Sequence, residues 1–199
     1  MKPSATALIL IGYQKDYFEK QGALHKVIEA SVDEVLSNTI NLVEHLAPTP
    51  VTIISTPIIF TPAYTELVDP IGILKVIREV GAFKQGTSGA ETIEDLTRFG
   101  DRILEVPGKR GLNAFHATQL QQEMERRGIT NVVLAGVVTS ICIDSTARSA
   151  FELGYQVSVL SDCTAGRSAY EQEFYCNDVL PLYAKVLTSH ELLDELQPS

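Results

Sequence analysis

Hydrophobic residues along this chain form two alternating patterns: short unbroken apolar runs, and longer stretches in which apolar positions recur every three or four residues. The unbroken runs are rich in β-branched and aliphatic residues, and they lie at residues 5–11, 51–55, 102–106, 131–135, 156–160 and 185–188. Their apolar character is nearly continuous, which is typical of strands covered on both faces. The pattern therefore predicts six buried strands.

The amphipathic stretches between these runs predict helices. Residues 31–46 begin with Ser31 and Asp33 and place apolar residues on one face at helical spacing. Other helical patterns lie at residues 116–127, 141–153, 168–182, about 71–79 and after Ser189. Strands alternating with helices predict an α/β protein with a parallel sheet. No repeat, charge block or low-complexity linker divides the chain, so we expect one domain over residues 1–199.

Composition narrows the classes of function. The chain has 25 acidic and 16 basic residues, a formal net charge of −9 at pH 7. Such a surface repels phosphate backbones and anionic lipids, so we expect neither nucleic-acid nor membrane binding. Three widely spaced cysteines and no signal-peptide pattern predict reduced thiols in the cytoplasm. The four histidines lack ligand spacing and are expected at the surface, so we predict no metal and no other cofactor.

Residues that follow each predicted strand are the candidates for chemistry. In an open parallel sheet, ligands bind at the carboxyl ends of the strands, near the point where strand order reverses. Residues 136–142 join the fourth strand to a helix that starts near Ser140 or Ile141. Cys142 then lies in the first helical turn, where free N–H groups favour a thiolate and can bind an oxyanion. A buried cysteine without chemistry stays the alternative from the residues alone.

Three segments, taken together, resemble the isochorismatase-like cysteine hydrolases over nearly the whole chain. Residues 133–154, with the sequence VLAGVVTSICIDSTARSAFELG, resemble the nucleophile segment of that superfamily. Residues 8–18, LILIGYQKDYF, resemble its first-strand motif, and residues 106–115, VPGKRGLNAF, resemble its lysine motif. The superfamily includes isochorismatases, nicotinamidases and N-carbamoyl amidohydrolases.

The resemblance implies a fold and a catalytic triad. The fold is a doubly wound six-stranded parallel sheet with helices on both faces, assembled as a homo-oligomer (dimer or tetramer). The triad is Cys, Lys and Asp; by position Cys142 is the nucleophile and Lys109 the electrostatic partner that favours its thiolate. A non-proline cis peptide is implied at Val137–Val138 or Val138–Thr139. The predicted oxyanion loop comprises Val138, Thr139 and Ile141.

The acid of that triad is missing from its place. Two residues before Gln14, where the family has its aspartate, this chain has Gly12, which cannot exchange a proton. Three outcomes stay open. Another acid acts, with Asp16, Glu91 and Asp144 as candidates and Asp16 more readily interpreted as a brace; the substrate supplies the group; or the protein binds without turnover. The leading hypothesis is a metal-free hydrolase of a small amide, carbamoyl or ester-like substrate, and the alternative is a catalytically silent binding protein.

Aromatic residues past the strand ends are candidates for substrate contacts. A flat or apolar acyl group fits against aromatic walls, and the candidates are Phe18, Phe60, Tyr64 and Phe115. A position in the core is an equal alternative for these residues. Residues 60–100, interrupted by proline and glycine, are interpreted as an excursion that covers a ligand site or a subunit interface. Residues 56–64 hold no His or Asp, unlike the metal-binding stretch of the nicotinamidase branch.

Overall fold

The computed structural model describes residues 1–197 and contains a six-stranded sheet in which neighbouring strands are all parallel. The strands are Thr6–Ile11 (β1), Thr52–Thr56 (β2), Ile103–Glu105 (β3), Asn131–Val137 (β4), Gln156–Ala165 (β5) and Lys185–Leu187 (β6). They lie in the order β3-β2-β1-β4-β5-β6, so strand order reverses between β1 and β4. The carboxyl ends of these two strands flank the crevice where such sheets bind ligands. The predicted six-stranded parallel fold is confirmed.

Six of the eight α-helices in residues 1–197 lie within or near predicted helical stretches, whereas the short α1 and α4 were not predicted. They are Lys15–Phe18 (α1), Val32–Leu46 (α2), Gly72–Val80 (α3), Glu94–Thr97 (α4), Leu120–Arg126 (α5), Asp144–Glu152 (α6), Ala169–Phe174 (α7) and Ser189–Leu196 (α8). The helix predicted from residue 116 begins only at Leu120, because the Thr118 hydroxyl accepts the Leu120 N–H and fixes a turn there. The stretch 168–182 is broken into α7 and two short turns, the last of which contains Pro181, which has no N–H to donate.

Helices cover both faces of the sheet, which explains the unbroken apolar runs. Along β1, Leu8 and Leu10 pack on the side of α2 and α8, while Ala7 and Ile9 pack on the side of α5 and α6. All four side chains are fully buried. The predicted domain 1–199 includes residues 198 and 199, which lie outside the described residues.

The segment between β2 and β3 folds over the carboxyl edge of the sheet. Isolated strand-like bridges tie it down, because Gln14 pairs with Thr92 and Ile58 pairs with Lys109. The Gln14 side chain adds two donated bonds of 2.7 Å, to the carbonyls of Ile58 and Ala90. None of the helices in residues 1–197 is long and apolar enough to cross a membrane.

Candidate active site

Cys142 lies in a π-helical turn, Thr139–Ile143, which joins the carboxyl end of β4 to α6. The Val138 carbonyl accepts hydrogen bonds from the N–H groups of Ile141 at 3.0 Å and Ile143 at 3.2 Å. Single π-helical turns are frequent at functional sites. The Cys142 side chain is 4 % exposed, so this turn, hereafter the nucleophile turn, holds the sulfur just below the surface.

The predicted oxyanion loop can be compared with the backbone at and just before the nucleophile turn. The Val137–Val138 peptide is cis, at one of the two positions that the family resemblance implies. The N–H of Ile141 is already bonded to Val138, so it is not a free donor here and its predicted role is not supported. Val138 and Thr139 remain predicted members of the oxyanion loop.

Gln172 of α7 braces the start of the nucleophile turn, and no sequence motif points to it. Its Oε1 accepts a hydrogen bond of 2.6 Å from the Thr139 hydroxyl. Its Nε2 donates to the carbonyls of Ser161 at 3.0 Å and Thr164 at 3.2 Å, both on β5. The amide therefore connects three elements. A glutamine on a polar helix carries no signal of such contacts, because they depend on where α7 lies.

Lys109 is fully buried, and its ammonium lies 3.5 Å from the sulfur of Cys142. Its other hydrogen-bond acceptor is the carbonyl of Gly111. No carboxylate in the described part of the chain forms an ion pair with it. A buried ammonium without a counter-charge is costly, and the sulfur of Cys142 is one of its two hydrogen-bond partners here. The structure thus brings the two predicted triad members together.

The loop that carries Lys109 is fixed against α6. The N–H of Ala114 donates to the Thr146 hydroxyl at 3.1 Å, and the Asn113 amide donates to the hydroxyl of Ser149. Both hydroxyls belong to α6, which begins two residues after Cys142. These contacts tie the loop that carries Lys109 to the helix that follows Cys142.

Gly12, at the position of the missing acid, occupies a left-handed turn with φ at +78°. A Cβ atom at this position would lie 2.8 Å from the carbonyl oxygen of Val137 and 3.1 Å from its Cγ2. Glycine is thus required by both the backbone angle and the close approach of β4. The place of the acid is closed by protein, so it is not a vacancy that a substrate group fills.

Asp16, the first candidate for a substitute acid, braces its own loop. Its Oδ2 accepts the Phe83 N–H at 2.6 Å and its Oδ1 accepts the Ala23 N–H at 3.2 Å. The side chain is 6 % exposed and fills the space against Gly89. These contacts agree with the interpretation of Asp16 as a brace.

The other two candidate acids are engaged away from the sulfur. Glu91 forms an ion pair with Lys15 at 2.8 Å on an exposed surface. Asp144 forms an ion pair with Arg148 at 3.0 Å and accepts a hydrogen bond from the Tyr183 hydroxyl. Neither carboxylate contacts Cys142 in this structure.

Tyr17 is a buried tyrosine that sequence analysis did not select. Its side chain is 2 % exposed and packs on Phe83, with ring centroids 5.2 Å apart. Burial raises the pKa of Tyr17, and negative charge at Cys142 and at Asp16 raises it further. The phenol therefore stays protonated near neutral pH.

Three of the four aromatic candidates for substrate contact belong to the core. Phe60 is fully buried, and Phe18 stacks on Tyr13 with ring centroids 5.0 Å apart. Tyr64 is also buried, and its hydroxyl donates to the carbonyl of Ala82 at 2.7 Å. Burial leaves Phe18, Phe60 and Tyr64 almost no face for a ligand, so the core alternative describes them better.

A cavity of 560 Å³ beside the nucleophile turn offers room for a small molecule. Its walls come from α3, from the loop at residues 106–115 that carries Lys109 (hereafter the lysine loop), from the nucleophile turn and from the start of α6. They include Ile73, Val76, Leu112, Ser140, Ile141, Asp144 and Arg167. Phe115, the fourth aromatic candidate, does not line this cavity and stacks on Tyr155 with centroids 6.1 Å apart.

The remaining cysteines differ from Cys142 in their surroundings. Burial raises the pKa of Cys163 to about 12, with the charge of Asp162 adding to the effect. Burial also raises the pKa of Cys176 to about 11. Neither thiol has an ammonium partner among residues 1–197, so both stay protonated near neutral pH.

Groups that bind metal ions are scattered. In the part of the chain that the structure describes, no three His, Cys, Asp or Glu side chains are grouped to hold a metal. His25 corrects the expectation that all histidines lie at the surface. It is buried, and its Nδ1 lies 3.0 Å from the carbonyl oxygen of Tyr17.

Comparisons with known proteins identify the family of this chain. The family model for the isochorismatase domain matches residues 6–191. The uncharacterized isochorismatase family protein YecD of Escherichia coli O157:H7 is 38 % identical over 88 residues, 44 % of this chain and 47 % of YecD. Nicotinamidase 3 of Arabidopsis thaliana is 35 % identical over 80 residues, 40 % of each protein. This chain thus spans less than half the length of these curated relatives.

A solved structure supports the fold over almost the full length. The cysteine hydrolase from Pseudomonas syringae pv. phaseolicola 1448A superposes with a TM-score of 0.89 over 98 % of this chain and 94 % of that one. The sequence identity is 20 %, so this similarity shows the fold alone.

Proposed function

The chain belongs to the isochorismatase family, whose domain spans residues 6–191, and on this premise we propose that it is a metal-free cysteine hydrolase of a small amide, carbamoyl or ester-like compound. The observation that carries the proposal is the buried ammonium of Lys109, 3.5 Å from the sulfur of Cys142. This contact supplies an activated nucleophile of the kind that acyl transfer requires.

The proposed chemistry has two halves. In the first, the Cys142 thiolate attacks the carbonyl carbon, the carbonyl electron pair moves to oxygen, and collapse of this oxyanion expels the leaving group, which takes a proton from water when it is an amine. In the second, water attacks the resulting thioester and the sulfur leaves as a thiolate again. Lys109 stabilises the negative charge on sulfur at the start and end of the cycle. The backbone at Val138 and Thr139 is the proposed site of the oxyanion.

The size of the cavity beside the nucleophile turn favours a small substrate. A cavity of 560 Å³ adjoins the nucleophile turn, and its apolar side chains come from α3 and the lysine loop. Arg167 at its edge forms an ion pair with Glu171 at 2.8 Å. Asp144 also lines the cavity and is paired with Arg148, so both charged side chains of this lining have partners within the protein.

The test is the alkylation of the thiols by iodoacetamide near neutral pH, followed by peptide mass analysis. Cys142 should react faster than Cys163 and Cys176, and Lys109→Met should slow its reaction at least tenfold, equivalent to about 1.4 kcal/mol of preference for the thiolate. Lys75→Met is the matched control, because Lys75 lies on exposed α3 and pairs only with Glu79. Equal reactivity of Cys142 in both lysine variants would remove the nucleophile from the proposal.

A second candidate, a catalytically silent binding protein, is favoured by one observation. Position 12 holds no acid and accommodates no Cβ. The two candidates differ in turnover, so a panel of simple amides, carbamoyl compounds and activated esters separates them. Release of product beyond one equivalent per chain, lost in Cys142→Ala, supports the hydrolase. Fast alkylation of Cys142 without turnover of any compound supports the binding protein.

A further inference from the structure

A second cavity, with a volume of 540 Å³, lies beside β3, the strand at one edge of the sheet. Its walls come from the residues that follow β1 and β2, from the stretch 85–97 and from the last residue of β3. No residue lines both this cavity and the one beside the nucleophile turn. The cavity is therefore a candidate binding site that the proposed reaction does not use.

The charged side chains around this cavity are mostly acidic. They are Lys15, Glu91, Glu94 and Glu105. Lys15 forms an ion pair with Glu91 at 2.8 Å, so these two charges offset each other. Within residues 1–197, Glu94 and Glu105 form no ion pair with a lysine or arginine. The cavity, hereafter the acidic cavity, thus presents two carboxylates without a counter-charge.

A smaller pocket of 80 Å³ adjoins the acidic cavity. Thr92, Thr97 and Glu105 line both, so the two spaces share a wall. Ser55 of β2 lines the pocket but not the acidic cavity. The pocket has room for an ammonium group or a few water molecules.

Ser55 presents a hydrogen-bonding group to this pocket. It pairs in register with Glu105 across β2 and β3, so both side chains lie on the face of the sheet that borders the pocket. Ser55 is 6 % exposed, and its hydroxyl has no hydrogen-bond partner in the part of the chain that the structure describes. Its oxygen is not sealed off as that of Ser140 is, so it is open to the pocket. Such a hydroxyl is available to a ligand.

The arrangement of the acidic groups favours an extended cation over a metal ion. No three His, Cys, Asp or Glu side chains of the described residues are grouped to hold a metal. A linear molecule can instead place one positive charge beside Glu105 and another beside Glu94. An ammonium group also donates hydrogen bonds, which the Ser55 hydroxyl and the Glu105 carboxylate can accept. The ligand that fits these groups has a protonated amine at each end.

We propose that the acidic cavity binds a small linear diamine in its doubly protonated form. One ammonium group enters the 80 Å³ pocket, where Ser55 and Glu105 accept its hydrogen bonds. The other lies in the acidic cavity near Glu94, and the methylene groups between them pack on Pro57 and Ile59. This site contains neither Cys142 nor Lys109, so it does not depend on the proposed hydrolase function.

The test is a calorimetric titration of the full chain with putrescine, a linear diamine with four carbons. The wild type should bind one molecule per chain. Glu105→Gln should weaken binding about tenfold, because it removes the charge beside the pocket, and Ser55→Ala about fivefold, because it removes one acceptor. Glu152→Gln is the matched control, since Glu152 is an exposed acid of α6 that lines neither space.

Three results would overturn the proposal. The first is the absence of binding at millimolar putrescine. The second is an equal loss of affinity in Glu105→Gln and Glu152→Gln, which would show only the general attraction of cations to an acidic protein. The third is an unchanged affinity in Ser55→Ala, because an ammonium group in the pocket has to contact this hydroxyl.

A comparison on the wild type alone covers the case in which Ser55→Ala does not fold. The fully N-methylated analogue of putrescine has the same two charges and the same linker but no N–H group. It should bind about tenfold more weakly than putrescine, because it donates no hydrogen bond to Ser55 or Glu105. Equal affinity of the two dications would overturn the proposal, and so would tighter binding of Mg²⁺ than of putrescine.

Discussion

Gly12 is a single residue whose backbone conformation determines which side chains can lie in the candidate active site. Its left-handed turn and its contact with β4 exclude a side chain where the family resemblance places an aspartate. A substitution that restores the sequence motif therefore does not restore the site. The ring of Tyr17 and the carbonyl of Val137 already occupy the surrounding space.

We expect Gly12→Asp and Gly12→Ala to destabilise the protein. A non-glycine residue in the left-handed region costs about 1–2 kcal/mol, and the contact with Val137 adds to this. Gly128→Ala is the matched control, because Gly128 has φ at +66° and nothing within 4 Å of an added Cβ. Urea unfolding should give a larger loss for Gly12→Ala than for Gly128→Ala. Equal losses would contradict the crowding at position 12.

Cys163 makes stability sensitive to alkaline pH. Its thiol ionises near about 8.5 in an unfolded chain, whereas burial raises its pKa to about 12 in the folded protein. Between these values the unfolded state binds fewer protons, so the free energy of unfolding falls by up to about 1.4 kcal/mol per pH unit. Below about pH 8 both states are protonated and the effect vanishes.

Cys163→Ala should remove this part of the alkaline decline. Urea unfolding measured from neutral pH to about pH 10.5 should show a shallower fall for the variant than for the wild type. The slope is the readout, since loss of the sulfur also lowers stability at every pH. Parallel slopes would show that Cys163 ionises normally in the folded chain.

At the scale of elements, the nucleophile turn is held by contacts that are distant in sequence. Gln172 on α7 links Thr139 to two carbonyls of β5. The lysine loop is bonded to α6 through Thr146. The nucleophile turn and the lysine loop are therefore held in place by two separate sets of hydrogen bonds.

We expect Gln172→Ala to loosen the nucleophile turn. Loss of one such hydrogen bond lowers stability by about 1 kcal/mol, with more where a partner is left unsatisfied. Hydrogen exchange of the amides in Thr139–Ile143 should become faster. The time course of Cys142 alkylation should no longer fit a single rate. Gln121→Ala is the control, because Gln121 bonds only exposed Glu125. Unchanged exchange in Gln172→Ala would show that the turn needs no brace from α7.

The pattern of apolar residues predicts most of the elements but misses features set by pairing across the sheet. β5 runs to Ala165, five residues beyond the apolar run, because a bulge lets Gly136 pair with Thr164 after Leu134 has paired with Val159. Because the residues in this bulge are polar, the sequence pattern ends the predicted strand at residue 160. Cys142 and Lys109 were predictable from motifs, whereas Tyr17 and Gln172 depend on packing that no spacing encodes.

For the whole molecule, the distribution of exposed apolar side chains indicates more about subunit association than the net charge does. Several side chains near α3 are strongly exposed, with Val68 at 83 % and Ile71 at 84 %. Val76 and Val80 of α3 are also exposed, and only Ile77 of that helix is buried. A cluster of this kind is typical of a subunit interface.

We therefore predict a homo-oligomer, a dimer or tetramer, that uses the surface of α3. Light scattering should give a multiple of the 21.8 kDa chain mass at micromolar concentration. The double variant Ile71→Lys and Val80→Lys should shift the mass towards 21.8 kDa. Burial of two lysine charges without counter-charges in an interface is costly. Leu153→Lys, an exposed apolar position on another face, is the control. A wild-type mass of 21.8 kDa would contradict the prediction.

The close approach of β1 and β4 also affects which changes random mutation can deliver. One base change turns any glycine codon into a codon for aspartate or glutamate, so an acid at position 12 is always a near neighbour in the genetic code. The backbone opposes this change, since Gly12 meets Val137 and a side chain on Gly136 would overlap the carbonyl of Ile11. An aspartate at position 12 fits this backbone only if β4 shifts at Val137, so directed evolution towards the family triad needs a change in β4 as well as at position 12.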